Sequence, residues 1–159
     1  MTTKQELIGG IEFLVQESKR IGAMLGDADW AKVQDGDGWK NKEVLAHVAG
    51  VGSIVIPFVQ NMANAGADAN AGDGFDIDAF NAGLVGARAA KSVKELTDEI
   101  AQGYAAVVEF VKSQPDEFWA QKRSFAGYKD VPLGDLGMRM IVMHGISHIY
   151  SAYTAVAFS

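Results

Sequence analysis

Residues 38–49 read GWKNKEVLAHVA, and this stretch begins the second of the long helices that the sequence predicts. From residue 41 to residue 65, apolar side chains recur three or four positions apart, which is the spacing of one face of an α-helix. This face carries Val44, Val48, Val51, Val55 and Met62. His47 lies on the same face, so the sequence predicts an imidazole that points into the core. Pro57 lies inside the pattern and predicts a kink.

Three more segments have helical periodicity. The first covers residues 4–25 and the last covers residues 135–158. The middle segment has two parts: residues 78–90, and a helix that starts at the capping box of Ser92 and Glu95 and ends before Pro115.

The connections between these segments complete the predicted fold. The polar link of residues 66–74, GADANAGDG, is long enough for a crossover along a helical bundle. Residues 122–134 predict a loop with a brief extended piece, and no strand run is strong enough to suggest a sheet. The predicted fold class is therefore all-α, a four-helix bundle with a long crossover between helices two and three.

Length and charge limit the classes of function. The chain has 159 residues, a net charge of −6 and no cysteine, and it suits one domain, residues 1–159, without disulfides. The negative charge and scattered cations argue against nucleic acid as a partner. No apolar run approaches the roughly 20 residues that span a bilayer, so we expect no membrane partner. The N-terminus lacks the basic and apolar regions of a secretory signal, so we expect a cytoplasmic location.

The chain has three histidines, and all of them fall on apolar helix faces. His144 and His148 are four residues apart, which places their Cβ atoms about 5–6 Å from each other on one side of a helix. With His47 from the second helix, they form a candidate three-histidine metal site with an open coordination position. Such a site suits a divalent transition metal; zinc and nickel are placed first, with iron, copper and manganese as alternatives.

The competing interpretation is that these histidines are satisfied core residues. Each buried imidazole nitrogen would cost about 1–3 kcal/mol if it stayed unpaired. Hydrogen bonds among the three rings, or ordered water, would relieve that cost.

Four residues near the predicted site have two interpretations each. Glu43 either orients the His47 ring or, as we prefer, supplies an acid to the first turn of its helix. Trp39 either lines a pocket mouth or, as we prefer, packs as a lid on the core. Asn81 and Asp78 either reach the metal site or cap their helix.

Two motifs in the chain resemble those of a known group of proteins. GWKNKEVLAHV resembles the GW-x-x-K-[DE]-x-LAH-[LVI] signature of the DinB-like superfamily, and HGISHI at residues 144–149 resembles its H-x-x-x-H-I element. Phe80-Asn81-Ala82, followed by Arg88 and the capping box, is similar to the middle region of the superfamily. The superfamily includes YfiT-like proteins, proposed to be metal-dependent hydrolases, and the N-terminal domain of mycothiol-dependent maleylpyruvate isomerase.

The resemblance implies both a site and a chemistry. It implies a four-helix bundle with a long crossover, in which His47, His144 and His148 are the metal ligands. Members of known activity often use the metal to activate a low-molecular-weight thiol such as mycothiol or bacillithiol. The resemblance also implies a small-molecule substrate and a homodimer.

Three functions remain open from the sequence. We favour a metal-dependent thiol transferase, whose thiol would come from outside because the chain has no cysteine. The first alternative is a hydrolase in which the metal ionises a water, but the sequence offers no convincing general acid or base for it. The second alternative is a non-catalytic, metal-stabilised binding module.

Overall fold

Helices make up most of the computed structural model, which describes residues 1–34, 38–65, 76–125 and 127–157. The helices are α1 (Lys4–Met24), α2 (Asp27–Trp30), α3 (Asn41–Asn64), α4 (Ile77–Gly86), α5 (Val93–Ser113), α6 (Asp116–Ala120), α7 (Leu133–Gly137) and α8 (His144–Ala157). A π-helical segment, Met138–Met143, joins α7 to α8. The strands β1 (Lys122–Phe125) and β2 (Tyr128–Pro132) pair antiparallel. The fold class is all-α, which confirms the prediction.

Reciprocal capping fixes the start of two long helices. The Ser92 hydroxyl accepts a hydrogen bond from the Glu95 backbone N–H, and the Glu95 carboxylate accepts one from the Ser92 backbone N–H. Thr3 and Glu6 make the same pair of bonds before α1. Each pair satisfies backbone donors that the first turn of a helix leaves free. The predicted capping box at Ser92 is therefore confirmed.

Contacts along the long helices give their directions. α1 and α8 run parallel, because Leu14 packs on Gly145 and Glu17 is hydrogen-bonded to Tyr150 further along both helices. α1 and α5 run antiparallel, because the start of α1 lies beside the end of α5: the Lys4 ammonium donates to backbone carbonyls at the end of α5. α3 and α8 also run antiparallel, because the start of α3 lies beside the later turns of α8.

These directions show how the chain returns between α3 and α5. Both helices run antiparallel to the α1 and α8 pair, so they point the same way, and consecutive parallel helices need a connection that runs back along the bundle. α4 supplies part of it, since Leu84 lies against Gly50 of α3 and the Lys42 ammonium donates to the Ala89 carbonyl just beyond α4. The predicted crossover, residues 66–74, lies outside the described residues.

The packed core lies between the long helices. α1 and α5 contribute Leu7, Ile11, Leu14, Ile21, Leu96, Ile100 and Val111, each no more than 1% exposed. Burying one such side chain stabilises the fold by about 1.5–3 kcal/mol. Gly52 of α3 lets the Tyr104 ring approach closely, because a Cβ at residue 52 would lie 2.9 Å from that ring. The core therefore depends on a close contact between α3 and α5.

The hairpin corrects one prediction. No sheet was expected, but residues 122–132 form two strands whose pairing is irregular between Arg123 and Phe125. The guanidinium of Arg123 donates to the carbonyls of Met62 and Ala63 at the end of α3. Strands of four and five residues are too short for a clear alternating pattern, and these contacts to a distant helix are not encoded locally.

The last predicted helix differs from the observed one in two ways. It begins at Leu133 rather than at residue 135, and its middle is the π-helical segment Met138–Met143. α2 and α6 are short helices that lie outside the segments with helical periodicity. Local periodicity gave no signal for these features.

One helix has the length and composition of a membrane span. α3 meets that test among the described residues, and 56% of its most apolar window is buried inside the protein. Core helices of soluble proteins meet the same test, so this is weak support for a membrane role.

Candidate metal centre

Two helices bring the three histidines of the chain together. His47 lies in the second turn of α3, and His144 and His148 lie one turn apart at the start of α8. The ring centroids are 5.4 Å apart for His47 and His144, 4.9 Å for His47 and His148, and 4.4 Å for His144 and His148. One ring nitrogen from each histidine lies within 4.8 Å of the other two. The structure thus places side by side the residues that the sequence singled out.

A π-helical segment leads directly into this cluster. His144 is the first residue after Met138–Met143. In a π-helix the backbone bonds run from residue i to residue i+5, so the side chains that follow are rotated relative to those of a continuous α-helix. The direction of the His144 and His148 rings therefore depends on this segment as well as on their spacing of four.

Burial favours the neutral form of two of the imidazoles. His47 is 3% exposed, and burial, followed by the influence of His148 and His144, lowers its pKa to about 4. Burial also lowers the pKa of His144. At neutral pH His47 is therefore in the neutral form that binds a metal ion.

The buried ring of His47 has few hydrogen-bond partners. Its Nδ1 atom is buried and has no hydrogen-bond partner in the part of the chain that the structure describes. Its Nε2 atom faces Nε2 of His144 at 3.1 Å, a contact that needs a proton on one of the two nitrogens. Packing alone leaves this ring poorly satisfied, whereas buried polar groups normally have partners.

The spacing of two of the nitrogens fits a metal ion. In a tetrahedral site with metal–nitrogen bonds of about 2.0–2.1 Å, two ligand nitrogens lie about 3.3 Å apart. The two Nε2 atoms at 3.1 Å are close to that value. Three imidazoles suit a divalent transition metal and leave a coordination position for a further ligand.

An apolar cavity adjoins the cluster. It has a volume of about 240 Å³, and His47 and His144 form part of its wall. The rest of the wall is Val51, Ile54, Val55, Phe58, Ile77, Phe80, Asn81, Phe125, Met140 and Ile141. A more open depression of about 470 Å³ between the end of α1 and the start of α5 has no imidazole in its wall, so we place any chemistry at the smaller cavity.

Comparison with known proteins identifies the family. Residues 13–146 match the family model described as the mycothiol maleylpyruvate isomerase N-terminal domain. The chain belongs to this family. The match confirms the DinB-like resemblance, and it includes His47 and His144, while His148 lies two residues beyond its end.

A solved structure shares the fold of this family member. It is the crystal structure of a mutant of mycothiol-dependent maleylpyruvate isomerase in which one histidine is replaced by alanine. The TM-score is 0.69 over 96% of our chain, at 14% sequence identity, and our chain spans 63% of that protein. At this identity the likeness shows a shared fold alone. No curated protein sequence matches the chain.

Four residues around the centre now have structural positions. The Trp39 ring lies edge-on to His47, with centroids 5.5 Å apart, so it contacts the histidine cluster. The Glu43 carboxylate accepts from the Lys40 backbone N–H at 2.7 Å, which confirms its role at the start of α3. Asn81 lines the cavity. Asp78 is exposed and is not the cap of α4.

The α4 cap corrects the interpretation of that segment. Asp76 precedes the helix, and its Oδ1 atom accepts from the Ala79 backbone N–H at 3.0 Å. The predicted start at residue 78 was therefore one residue late. Asn81 lies on the side of α4 that faces the cavity, together with Ile77 and Phe80, which are four positions and one position before it.

Sequence reasoning missed a polar network beside the histidines. The Gln34 amide donates to Asn41 Oδ1 at 3.0 Å and to Ser151 Oγ at 3.1 Å. Asn41 donates to the Asp29 carbonyl at 2.9 Å, and Ser151 donates to the His148 carbonyl at 2.8 Å. These bonds tie the loop before α3 to both histidine-bearing helices. The one available signal was Asn41, a polar residue three positions before Val44 and therefore on the apolar face of the helix.

Proposed function

We propose that His47, His144 and His148 hold a divalent transition metal, with zinc or nickel first, and that the protein uses it to activate a low-molecular-weight thiol. The thiolate sulfur would then bond to a carbon of a small-molecule electrophile, either with departure of a leaving group such as chloride or by addition to a double bond followed by protonation of the neighbouring carbon. One observation carries this proposal: three imidazoles, one of them deeply buried and uncharged, converge within 4.8 Å beside an apolar cavity.

The metal would supply the activation of a thiol, and the absence of cysteine from the chain decides where that thiol comes from. A divalent ion at this position would lower the pKa of a coordinated thiol and so increase the fraction of it that is present as nucleophilic thiolate at neutral pH. The chain itself has no cysteine, so the thiol is a separate molecule. The family description, which names mycothiol, supports a thiol of this kind.

The residues of the chain then bind, orient and shield. The three imidazoles fix the position of the ion, and the edge-on ring of Trp39 covers one side of His47. The hydrocarbon wall of the cavity keeps bulk water away from the reacting groups, which strengthens electrostatic interactions among them. The electrophile would bind in this cavity.

Two alternative functions are retained. Hydrolysis needs a general acid or base beside the metal, and among the described residues the cavity wall contains no carboxylate and no lysine. The Glu43 carboxylate is engaged at the start of α3. This favours thiol transfer over hydrolysis. A metal-stabilised binding module would show ligand binding without turnover.

The test starts with metal content. Protein purified without a histidine tag should contain close to one transition-metal ion per chain by elemental analysis, because three imidazoles complete the site. His47→Ala, His144→Ala and His148→Ala should each lose it, while the control Phe13→Ala, which removes an exposed ring of α1, should retain it. Metal that survives all three histidine changes would overturn the site.

Turnover then separates the three functions. The metal-loaded protein should conjugate a small electrophile, for example 1-chloro-2,4-dinitrobenzene, with one or more of mycothiol, bacillithiol and glutathione. Each histidine variant should lose this activity. Ester or amide hydrolysis without thiol would support the hydrolase, and binding without either reaction would support the binding module.

Location and oligomeric state remain predictions. We propose a cytoplasmic homodimer, and the exposed apolar side chains of Met24 and Met143 offer surface for a second copy. Sedimentation velocity at several concentrations checks this state, and a concentration-independent monomer would contradict it.

A further inference from the structure

We infer that the cavity beside His47 and His144 takes an uncharged, apolar substrate group of about the size of one substituted aromatic ring, oriented by a polar contact with Asn81. This rests on the proposed function in one respect: the bound group would be the electrophile that the thiol attacks. Three properties support it: the volume of the cavity, the absence of cationic side chains among the described residues of its wall, and the polar side chain of Asn81.

The wall is almost entirely hydrocarbon. Three aromatic rings and several aliphatic side chains enclose the space, contributed by α3, α4, β1 and the π-helical segment. The rings of Phe58 and Phe125 are packed edge to face, with centroids 5.0 Å apart, which fixes one side of the cavity. Among the described residues, no polar side chain lines this side of the cavity. Such a wall favours a ligand that loses little hydration when it enters.

The volume limits the size of the ligand. An apolar cavity of roughly 150 Å³ in another protein binds benzene. The cavity here has about 240 Å³. It therefore accommodates one ring with a substituent of a few atoms, and a longer or fused ligand would have to extend beyond this wall.

The charge of the wall limits the chemistry of the ligand. The described residues that line the cavity include no lysine and no arginine. Residues 35–37, 66–75, 126 and 158–159, which the structure does not describe, contain neither residue in their sequence. In the metal-free protein, a carboxylate among these hydrocarbons would lose its hydration without gaining a cationic side chain, which opposes its binding. The hydrocarbon wall itself therefore disfavours acidic ligands.

Asn81 supplies the orienting group. Apart from the two imidazoles, Asn81 is the one polar side chain among the described residues of the wall. Its amide can donate to a carbonyl or nitro oxygen and accept from an N–H, but it cannot neutralise a charge. A neutral ring that carries one polar substituent matches this arrangement, with the substituent at Asn81 and the ring among the aromatic side chains.

A pair of probes of equal shape and different charge tests the inference. Benzamide and benzoate are nearly isosteric, so we would measure both dissociation constants by protein-observed NMR at pH 7.5, in metal-free and in zinc-loaded protein. In the metal-free protein, benzamide should bind at least about tenfold more tightly than benzoate, because of the cost of the unpaired carboxylate. The methyl signals of Val51 and Ile54 should shift on binding.

Two variants locate the binding. Val51→Phe should fill the cavity and abolish benzamide binding, and Ile54→Trp serves the same purpose if Val51→Phe does not fold. The matched control is Val15→Phe in the groove between α1 and α5, which should leave binding unchanged. Asn81→Leu should weaken the binding of benzamide but not that of toluene, which has no polar substituent.

The outcomes separate this inference from the proposed function. Equal or tighter binding of benzoate in metal-free protein, no detectable benzamide binding, or binding that survives the filling variants would overturn the inference. A protein that binds benzamide as expected but takes up no metal would overturn the proposed function and leave the inference standing. A protein that takes up metal and conjugates thiols but fails the benzamide test would overturn the inference and leave the proposed function standing.

Discussion

The seam between α1 and α5 and the seam between α3 and α8 contain different kinds of side chain. The first is closed by aliphatic residues such as Ile11, Leu14 and Ile100, all of them fully buried, and both of its helices start at a capping box. The second contains three imidazoles, a buried nitrogen without a partner among the described residues, and an open cavity.

The difference shows how the bundle separates stability from chemistry. Close-packed aliphatic contacts between α1 and α5 hold the helices in place. The polar atoms between α3 and α8 add little to the stability of the metal-free protein, since buried polar groups without full hydrogen bonding oppose folding. Changes to the two seams should therefore have distinct effects, which the following experiments measure.

The largest expected effect is in the aliphatic seam. Ile100→Ala should lower the free energy of unfolding by about 2–5 kcal/mol, because it removes a fully buried side chain and leaves a cavity. The folded fraction should keep its metal. Urea denaturation and elemental analysis measure the two quantities. Loss of metal from folded Ile100→Ala would break the proposed separation.

The next effect is that of the metal on stability. Zinc at a free concentration 100 times its dissociation constant should raise the free energy of unfolding by about 2.7 kcal/mol, because it binds the folded state alone. His148→Ala should show no such gain at the same zinc concentration, and Phe13→Ala should respond like the wild type. Urea denaturation with and without zinc measures this. An equal gain in His148→Ala would place the metal elsewhere.

A smaller effect comes from the point where the two seams meet. A Cβ at Gly145, between two of the histidines, would lie 2.8 Å from a methyl group of Leu14 in α1. Gly145→Ala should therefore destabilise the protein by about 1–3 kcal/mol through overpacking. Gly9→Ala is the matched control, because nothing lies within 4 Å of the added carbon. If both variants are equally stable in thermal unfolding, the close contact is not needed.

The smallest effect involves the opposite side of α8. The Tyr150 hydroxyl donates to the Glu17 carboxylate at 2.6 Å, and hydrogen bonds from Arg20 and then from Tyr150 lower the pKa of Glu17 to about 2. Because this folded-state value lies below the ordinary value of 4.5, the stabilisation is complete above pH 4.5 and is lost as the pH falls towards 2. Tyr150→Phe should cost about 1 kcal/mol at pH 7.

The pH dependence identifies the cause of that loss. The difference in unfolding free energy between the wild type and Tyr150→Phe should shrink as the pH falls from 4.5 towards 2, and urea denaturation across this range measures it. Tyr153→Phe, in the next turn of α8, is the control and should show no such trend. A difference that stays constant with pH would assign the effect to packing rather than to Glu17.

Local signals in the sequence predict much of this fold. The long helices follow from apolar spacing, and the start of α5 follows from Ser92 and Glu95, which bond to each other within one turn. The inward faces of His47, His144 and His148 follow from the same spacing. These features depend on residues only three or four positions apart, so they can be read without knowledge of the tertiary structure.

Other features depend on distant contacts. The hairpin is held to α3 by the guanidinium of Arg123, and its partners lie about sixty positions earlier in the chain. The π-helical segment, MRMIVM, has an apolar pattern like that of an α-helix. Phe125 could not be assigned to the cavity because its strand was predicted as loop. Periodicity carries no information on such long-range partners.

The position of α4 has an evolutionary consequence. α4 contributes Ile77, Phe80 and Asn81 to the cavity wall, yet none of its residues is buried in the core. Substitutions on this helix can change which molecule fits beside the histidines at little cost to the stability of the bundle. The ligand preference of this protein can therefore change through one peripheral helix, while the helices that carry the histidines stay unchanged.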